Sequence, residues 1–166
     1  MTAQQLIIID GYNYILRQRS IPKDDDTILW QARDEFIRQI IAFRGNKRIN
    51  ITIVFDGQDL KGLTKVHRPQ GIKVLFSKAP QKADPLIIKL IEKSPQARNI
   101  ILVTSDRSLA NLARSVGCTI WSSEALAGKL PQPDLETEYK NKFNATLTPG
   151  EVEEWLKIFK SGKKTD

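Results

Sequence analysis

Leu6-Ile7-Ile8-Ile9-Asp10-Gly11-Tyr12-Asn13 is the stretch whose reading decides the fold. A run of apolar, mostly β-branched residues stops abruptly at an aspartate and a glycine. A half-exposed strand alternates apolar and polar residues, whereas a strand buried on both faces of a parallel sheet reads as a continuous apolar run. The polar residues after the run then stand at the strand's carboxyl end, where the ligand sites of open α/β sheets lie.

Four more runs have the same character, at residues 51–55, 72–76, 100–103 and 119–121. Helical patterns separate them. Ile28, Leu29, Ala32, Phe36, Ile37, Ile40 and Ile41 make an apolar stripe at helix spacing. Asp84 followed by Pro85 reads as an N-cap with proline at the first helical position, and Ile87, Leu90 and Ile91 form the stripe behind it. Residues 106–115 carry Leu109, Leu112 and Ala113, and Gly117 supplies a stop. Strand–helix alternation predicts an α/β protein, with a mainly parallel five-stranded sheet flanked by helices in three layers.

The pattern changes after Ser123. A short helix is expected at about 124–129, followed by Pro131-Gln132-Pro133 and a polar stretch. Thr148-Pro149-Gly150-Glu151 resembles a capping box, with Val152, Trp155, Leu156 and Phe159 as the buried face of a last helix. The expected organisation is one domain over 1–130 and a C-terminal extension over 131–166, whose helix packs on the same domain. Residues 161–166 read as a frayed tail.

Composition narrows the function. The chain has 166 residues, 40% hydrophobic and 27% charged, which fits a folded soluble domain and not a disordered one. No segment reaches the roughly 18 apolar residues of a membrane helix. The N-terminus lacks a basic region before its first apolar run, so a cytoplasmic protein without a secretory signal is expected. Cys118 is the single cysteine, which excludes an internal disulfide and a cysteine-based zinc site. His67 is the single histidine, which excludes mechanisms that need two imidazoles. The net charge of +7 favours a polyanionic partner such as nucleic acid. Within residues 61–82 the basic residues Lys61, Lys65, Arg68, Lys73, Lys78 and Lys82 occur without one acid.

The acids fall at telling places. Asp10, Asp56 and Asp106 follow the first, second and fourth apolar runs, and Asp84 opens the helix after the third. Asn13 lies one turn beyond Asp10. Each has an ordinary explanation as a turn residue or a helix cap. Their convergence on one sheet edge is harder to explain that way, because serine, threonine or asparagine caps equally well. Gathered carboxylates raise one another's pKa, and a divalent cation relieves the repulsion. Oxygen-only ligation points to Mg²⁺ or Mn²⁺. Such an ion beside a basic surface suits phosphodiester hydrolysis in a nucleic acid.

Ile9-Asp10-Gly11-Tyr12-Asn13 resembles the DGYN signature of NYN-domain proteins, a branch of the PIN-like ribonucleases. Val54-Phe55-Asp56-Gly57, Ala83-Asp84 and Thr104-Ser105-Asp106 follow in the order and spacing of the YacP-like subgroup. The resemblance implies a PIN-like (NYN) fold with its first strand central. It also implies endonucleolytic RNA cleavage with Mg²⁺ or Mn²⁺, acting on mRNA in association with the ribosome. Carried over by position, Asp10, Asp84 and Asp106 are metal-site carboxylates. Asn13 orients a ligand or the scissile phosphate, and Asp56 completes the acidic pocket. Where the family carries acids flanking the third-strand aspartate, this chain has Gln81 and Pro85, which argues against a second tightly bound metal.

Lys61, Lys65, Arg68, Lys78 and Lys82 are the candidate RNA contacts, with Lys73 placed inside a strand. Tyr12 either stacks on a base or packs beside a helix start. His67 reads as a contact or a bystander, and Cys118 as a packing residue. Ser105 either touches the metal site or shapes its turn. Other chemistries fit less well. A haloacid-dehalogenase-like phosphatase needs a second aspartate where Tyr12 stands. A receiver domain needs an acidic pair near the first strand and a lysine after the fifth. A dinucleotide-binding domain wants a glycine fingerprint, and only Gly11 is present. The non-enzyme alternative is an RNA- or ribosome-binding module of the same fold that does not cleave.

Overall fold

All five expected strands form, and they make one parallel sheet. They are β1 (Gln5–Asp10), β2 (Ile49–Phe55), β3 (Ile72–Phe76), β4 (Ile100–Val103) and β5 (Thr119–Trp121). The structure is a computed structural model and describes residues 4–19, 21, 26–57, 71–77, 82–131, 150, 153 and 157. Two compact units divide the chain, residues 1–131 and 132–166. In the second, Gly150, Glu153 and Lys157 are helical. The remainder of the expected last helix, its buried face and its packing lie outside the described residues.

Strand order in the sheet is β3-β2-β1-β4-β5. The chain builds outward from β1 through β2 to β3, then crosses back to place β4 on the other side of β1. That reversal makes the gap between β1 and β4 the topological switch point.

The continuous apolar run of β1 is explained by its two neighbours in space. Ile7 and Ile9 face one core with Phe36, Ile37 and Ile40, while Ile8 faces the other with Ile87, Ile91 and Leu109. Helices α1 (Gly11–Gln18) and α2 (Asp26–Arg44) contribute to the first core, as does α5 (Ser123–Ala127). Helices α3 (Ala83–Lys93) and α4 (Arg107–Ser115) contribute to the second. Each fully buried isoleucine stabilises the fold by about 1.5–3 kcal/mol relative to exposure.

Five details differ from the sequence reading. In α3 the N-cap is Lys82, so Asp84 lies inside the first turn and is no cap. In α4, Leu109, Ala110 and Ala113 are buried while Leu112 is 45% exposed. At 3.6 residues per turn Leu112 falls on the outer side of Leu109, away from Ala113 and Ala110. In α2 the first-turn Ile28 is exposed, and Arg33 sits in the middle of the apolar face, 1% exposed. The short helix at the end of the first unit spans Ser123–Ala127, with Ser122 as its cap. Helix α1 follows β1 directly, without an apolar stripe in the sequence to announce it.

Candidate active site at the carboxyl edge of the sheet

Register fixes where the first carboxylate stands. Asp10 is the last residue of β1 and lies opposite Val54, two residues before Asp56. Ile9 lies opposite Val103, so Asp10 is level with Thr104 at the switch point. The chain then turns directly into α1 at Gly11. A Cβ on Gly11 would overlap the ring of Phe55, which is fully buried. Glycine is required here for close approach of the β2 side chain, and that approach keeps the ends of β1 and β2 together.

On the β4 side, three consecutive residues each hold a different group. Thr104 Oγ1 donates to Asp10 Oδ2 at 3.4 Å and accepts from the Asp106 N–H at 3.1 Å. The Ser105 N–H donates to Asn13 Oδ1 at 2.9 Å. Asp106 is the N-cap of α4, its Oδ1 accepting from the Leu109 N–H at 2.9 Å. An N–H can only donate, so the Asn13 atom facing Ser105 is its oxygen. That bond fixes the amide so that its Nδ2 donor group is free to meet an oxyanion, and the oxygen keeps a second lone pair.

On the β2 side the aspartate has a different task. Asp56 Oδ1 accepts from the Ala83 N–H at the start of α3. Lys82, the N-cap, makes no side-chain cap bond. Asp56 thus caps a helix that is distant in sequence, satisfying one of its orphan donors. The β2 and β3 ends are tied beneath it, with the Gly57 N–H donating to Ser77 Oγ at 3.3 Å and the Ser77 N–H to Phe55 O at 2.9 Å. This anchoring places Asp84, in the first turn of α3, within electrostatic reach of Asp10.

The carboxylates act on one another. Burial raises the Asp10 pKa to about 7, and the charges of Asp84, Asp56 and Asp106 push it the same way, against the Thr104 hydrogen bond. Asp84 is also raised, by burial first and then by Asp106 and Asp56, with Lys82 opposing. Among the described residues no three acidic, histidine or cysteine side chains form a ready metal cage. The donor chemistry nonetheless suits a hard cation: aspartate oxygens alone, one of them buried with its charge disfavoured.

The remaining sequence candidates divide. Tyr12 packs its ring 4.8 Å from that of Phe55, and burial raises its hydroxyl while the Arg33 guanidinium beside it lowers it. Lys82 is exposed at the entry to α3, and Lys73 is exposed within β3. Lys61, Lys65, Arg68, Lys78, His67 and Gln81 lie outside the described residues. Cys118 is buried among α3 and α4 side chains, as expected.

Two features fall outside the sequence expectations. Ser123 is fully buried, its Oγ 2.9 Å from Ser105 Oγ. Arg33 meets the adjacent Asp34, with Nε and Nη2 each 3.3 Å from Oδ1, and lies against Tyr12 and Phe76, while its Nη1 has no hydrogen-bond partner among the described residues. Arginine inside an apolar stripe is the one hint that was legible for the second.

Comparison with known proteins agrees with this architecture. The sequence model of the YacP-like NYN domain matches residues 7–160. The protein YacP of Bacillus subtilis (strain 168) is 25% identical over 166 residues, covering 97% of this chain and 98% of that protein. Two crystal structures of Rae1 (YacP) from Bacillus subtilis share the fold. One, of a mutant, has a TM-score of 0.61 at 22% identity over 90% of each chain. The other has a TM-score of 0.60 at 23% identity over 96% of each chain. The chain belongs to the YacP-like NYN-domain family, within the PIN-like nuclease superfamily.

Proposed function

We propose that the protein is a divalent-metal-dependent endoribonuclease that hydrolyses phosphodiester bonds of mRNA in association with the ribosome. The observation that carries this reading is Asp10. It is buried at the switch point, its pKa raised to about 7 by burial and by three further aspartates brought from separate segments of the chain. A structural turn residue has no need of that environment, and perturbed carboxylates in a crevice mark functional sites.

Asp10, Asp84 and Asp106 would hold Mg²⁺ or Mn²⁺. Such an ion supplies charge neutralisation and an activated water for in-line displacement. Asp106 is rigid because it also caps α4, and Asp84 because α3 is anchored by Asp56. Asn13 offers its Nδ2–H group to a non-bridging phosphate oxygen, its own oxygen being held by the Ser105 N–H. Such preorganised donors stabilise developing negative charge without reorganising. Lys82, together with Lys61, Lys65, Arg68 and Lys78, supplies positive charge that offsets repulsion between the acidic crevice and RNA phosphates. Tyr12 flanks Asn13 and would stack on a base. The reading places the protein in the cytoplasm, with the 131–166 extension as a helical addition to the nuclease domain.

The test is cleavage of end-labelled RNA with added Mg²⁺ or Mn²⁺, with chelator, and with Asp10→Asn as control. Metal-dependent cutting that the variant lacks is the expected result. A second reading, an RNA- or ribosome-binding module that does not cut, is favoured by the absence of a ready metal cage among the described residues and by Gln81 and Pro85. Tight RNA binding with no cleavage under any metal condition selects it.

A further inference from the structure

Ser123 is the first residue of α5 and is fully buried. A buried hydroxyl is costly unless it is bonded. The helix itself has no use for this one, because Ser122 already caps α5 by accepting from the Ala125 N–H at 3.0 Å. The Ser123 hydroxyl instead meets Ser105 Oγ at 2.9 Å, across 18 residues of sequence.

Ser105 is the middle of the turn that leaves β4. Its neighbours Thr104 and Asp106 face Asp10 and α4, and its own backbone N–H meets Asn13 Oδ1 at 2.9 Å. The direction of that N–H depends on how the turn is held. Thr104 is anchored to β5 through its N–H to Trp121 O at 3.2 Å. Ser105 is anchored through its side chain to Ser123. The anchor is firm, because Leu126 of α5 shares a core with Tyr14 and Ile15 of α1, the helix that carries Asn13. Ser123, Ser105 and Asn13 thus close a loop through two helices and one turn.

We propose that Ser123 is a positioning residue: through Ser105 it fixes the orientation of the Asn13 side-chain amide at the carboxyl edge of the sheet. What the amide then does for the reaction rests on the nuclease reading. Its orientation does not, and the two are measured separately.

The first measurement needs no RNA. In ¹⁵N-labelled full-length protein, Ser123→Ala should shift the Asn13 side-chain amide signals, assigned with Asn13→Ala, and speed their exchange with water. The signals of Asn50 and Asn111 serve as internal references and should stay in place. Asn13 signals that coincide with wild type overturn the proposal. The second measurement is steady-state cleavage. Loss of positioning should lower kcat by about tenfold with KM within about twofold, as small misplacements of an orienting group do. A loss confined to KM overturns the proposal. If wild-type protein cuts no RNA, the nuclease reading fails and the amide signals alone decide. If Ser123→Ala does not fold, Ser105→Ala removes the other hydroxyl from the half-exposed side, with the same outcomes read in the same way.

Discussion

The two halves of the acidic cluster are built on different principles. On the β1–β4 half, Asp10, Asn13, Thr104, Ser105, Asp106 and Ser123 are joined by short-range hydrogen bonds around one turn. On the β2–α3 half, the bond from the Ala83 N–H to Asp56 holds the start of a helix, and Asp84 rides on that helix. The first half fixes the directions of side chains, and the second fixes the position of an element. Substitutions of Asp10 or Asn13 on the first half should therefore damage chemistry with little loss of fold. Those on the second should damage both.

The largest expected effect is at Asp10. Asp10→Asn should reduce cleavage by 10³-fold or more, on the order of the loss for an essential site group. It should also stabilise the protein at pH 8. Asp10 ionises near pH 7 in the folded chain against 3.8 ordinarily. The folded state therefore binds the extra proton between those values. The stability it contributes is complete below about pH 4 and is lost as pH rises through 7. Thermal denaturation of wild type should show a decline of about 2–4 kcal/mol from pH 4 to pH 8 that the Asn variant lacks. A variant that unfolds more easily than wild type at pH 8 would break the contrast, because Asp10 would then be serving the fold.

Cation binding should be the next largest effect. Because ions relieve the same repulsion, Mg²⁺ or Mn²⁺ should raise the melting temperature more at pH 8 than at pH 5. At one hundred times its Kd a ligand stabilises by about 2.7 kcal/mol. Chelator should reverse the shift, and an equal shift in Asp10→Asn would show that the ion binds elsewhere.

Asp56 sharpens the comparison from the other side. Asp56→Ala removes the acceptor at the α3 start and should cost about 1 kcal/mol in denaturant unfolding. Asp56→Asn keeps an acceptor and should cost a few tenths. Equal stability of wild type and the alanine variant would mean that α3 is held without this bond.

The smallest effect concerns the stretch between β2 and β3. Replacing Lys65 and Arg68 together by alanine should weaken RNA binding across sequences. Affinity for single strands falls with salt at a log–log slope of about −0.7 per phosphate contact, so the double variant should flatten it by roughly one to two units. Superimposable salt dependences would place the RNA path elsewhere.

Sequence alone determined the elements that depend on local chemistry. The five strands were legible because residues buried on both faces, such as Ile7, Ile8 and Ile9, must all be apolar. Asp106 was legible as a cap because its acceptor and its donor are three residues apart. The convergence of aspartates on one edge was legible because parallel strands share a carboxyl end. Tertiary structure alone decided the rest. Local sequence points to Asp84 as the cap, but the capping acceptor is Asp56, 27 residues before Ala83. Arg33 occupies an apolar face through its place against Tyr12 and Phe76, which no stripe reveals. The partner of Asn13 Oδ1 is a Ser105 N–H 92 residues away, and Ser123 is buried against the same turn. Local patterns report which residues can be buried or can cap; only the packed chain brings a particular donor to a particular acceptor.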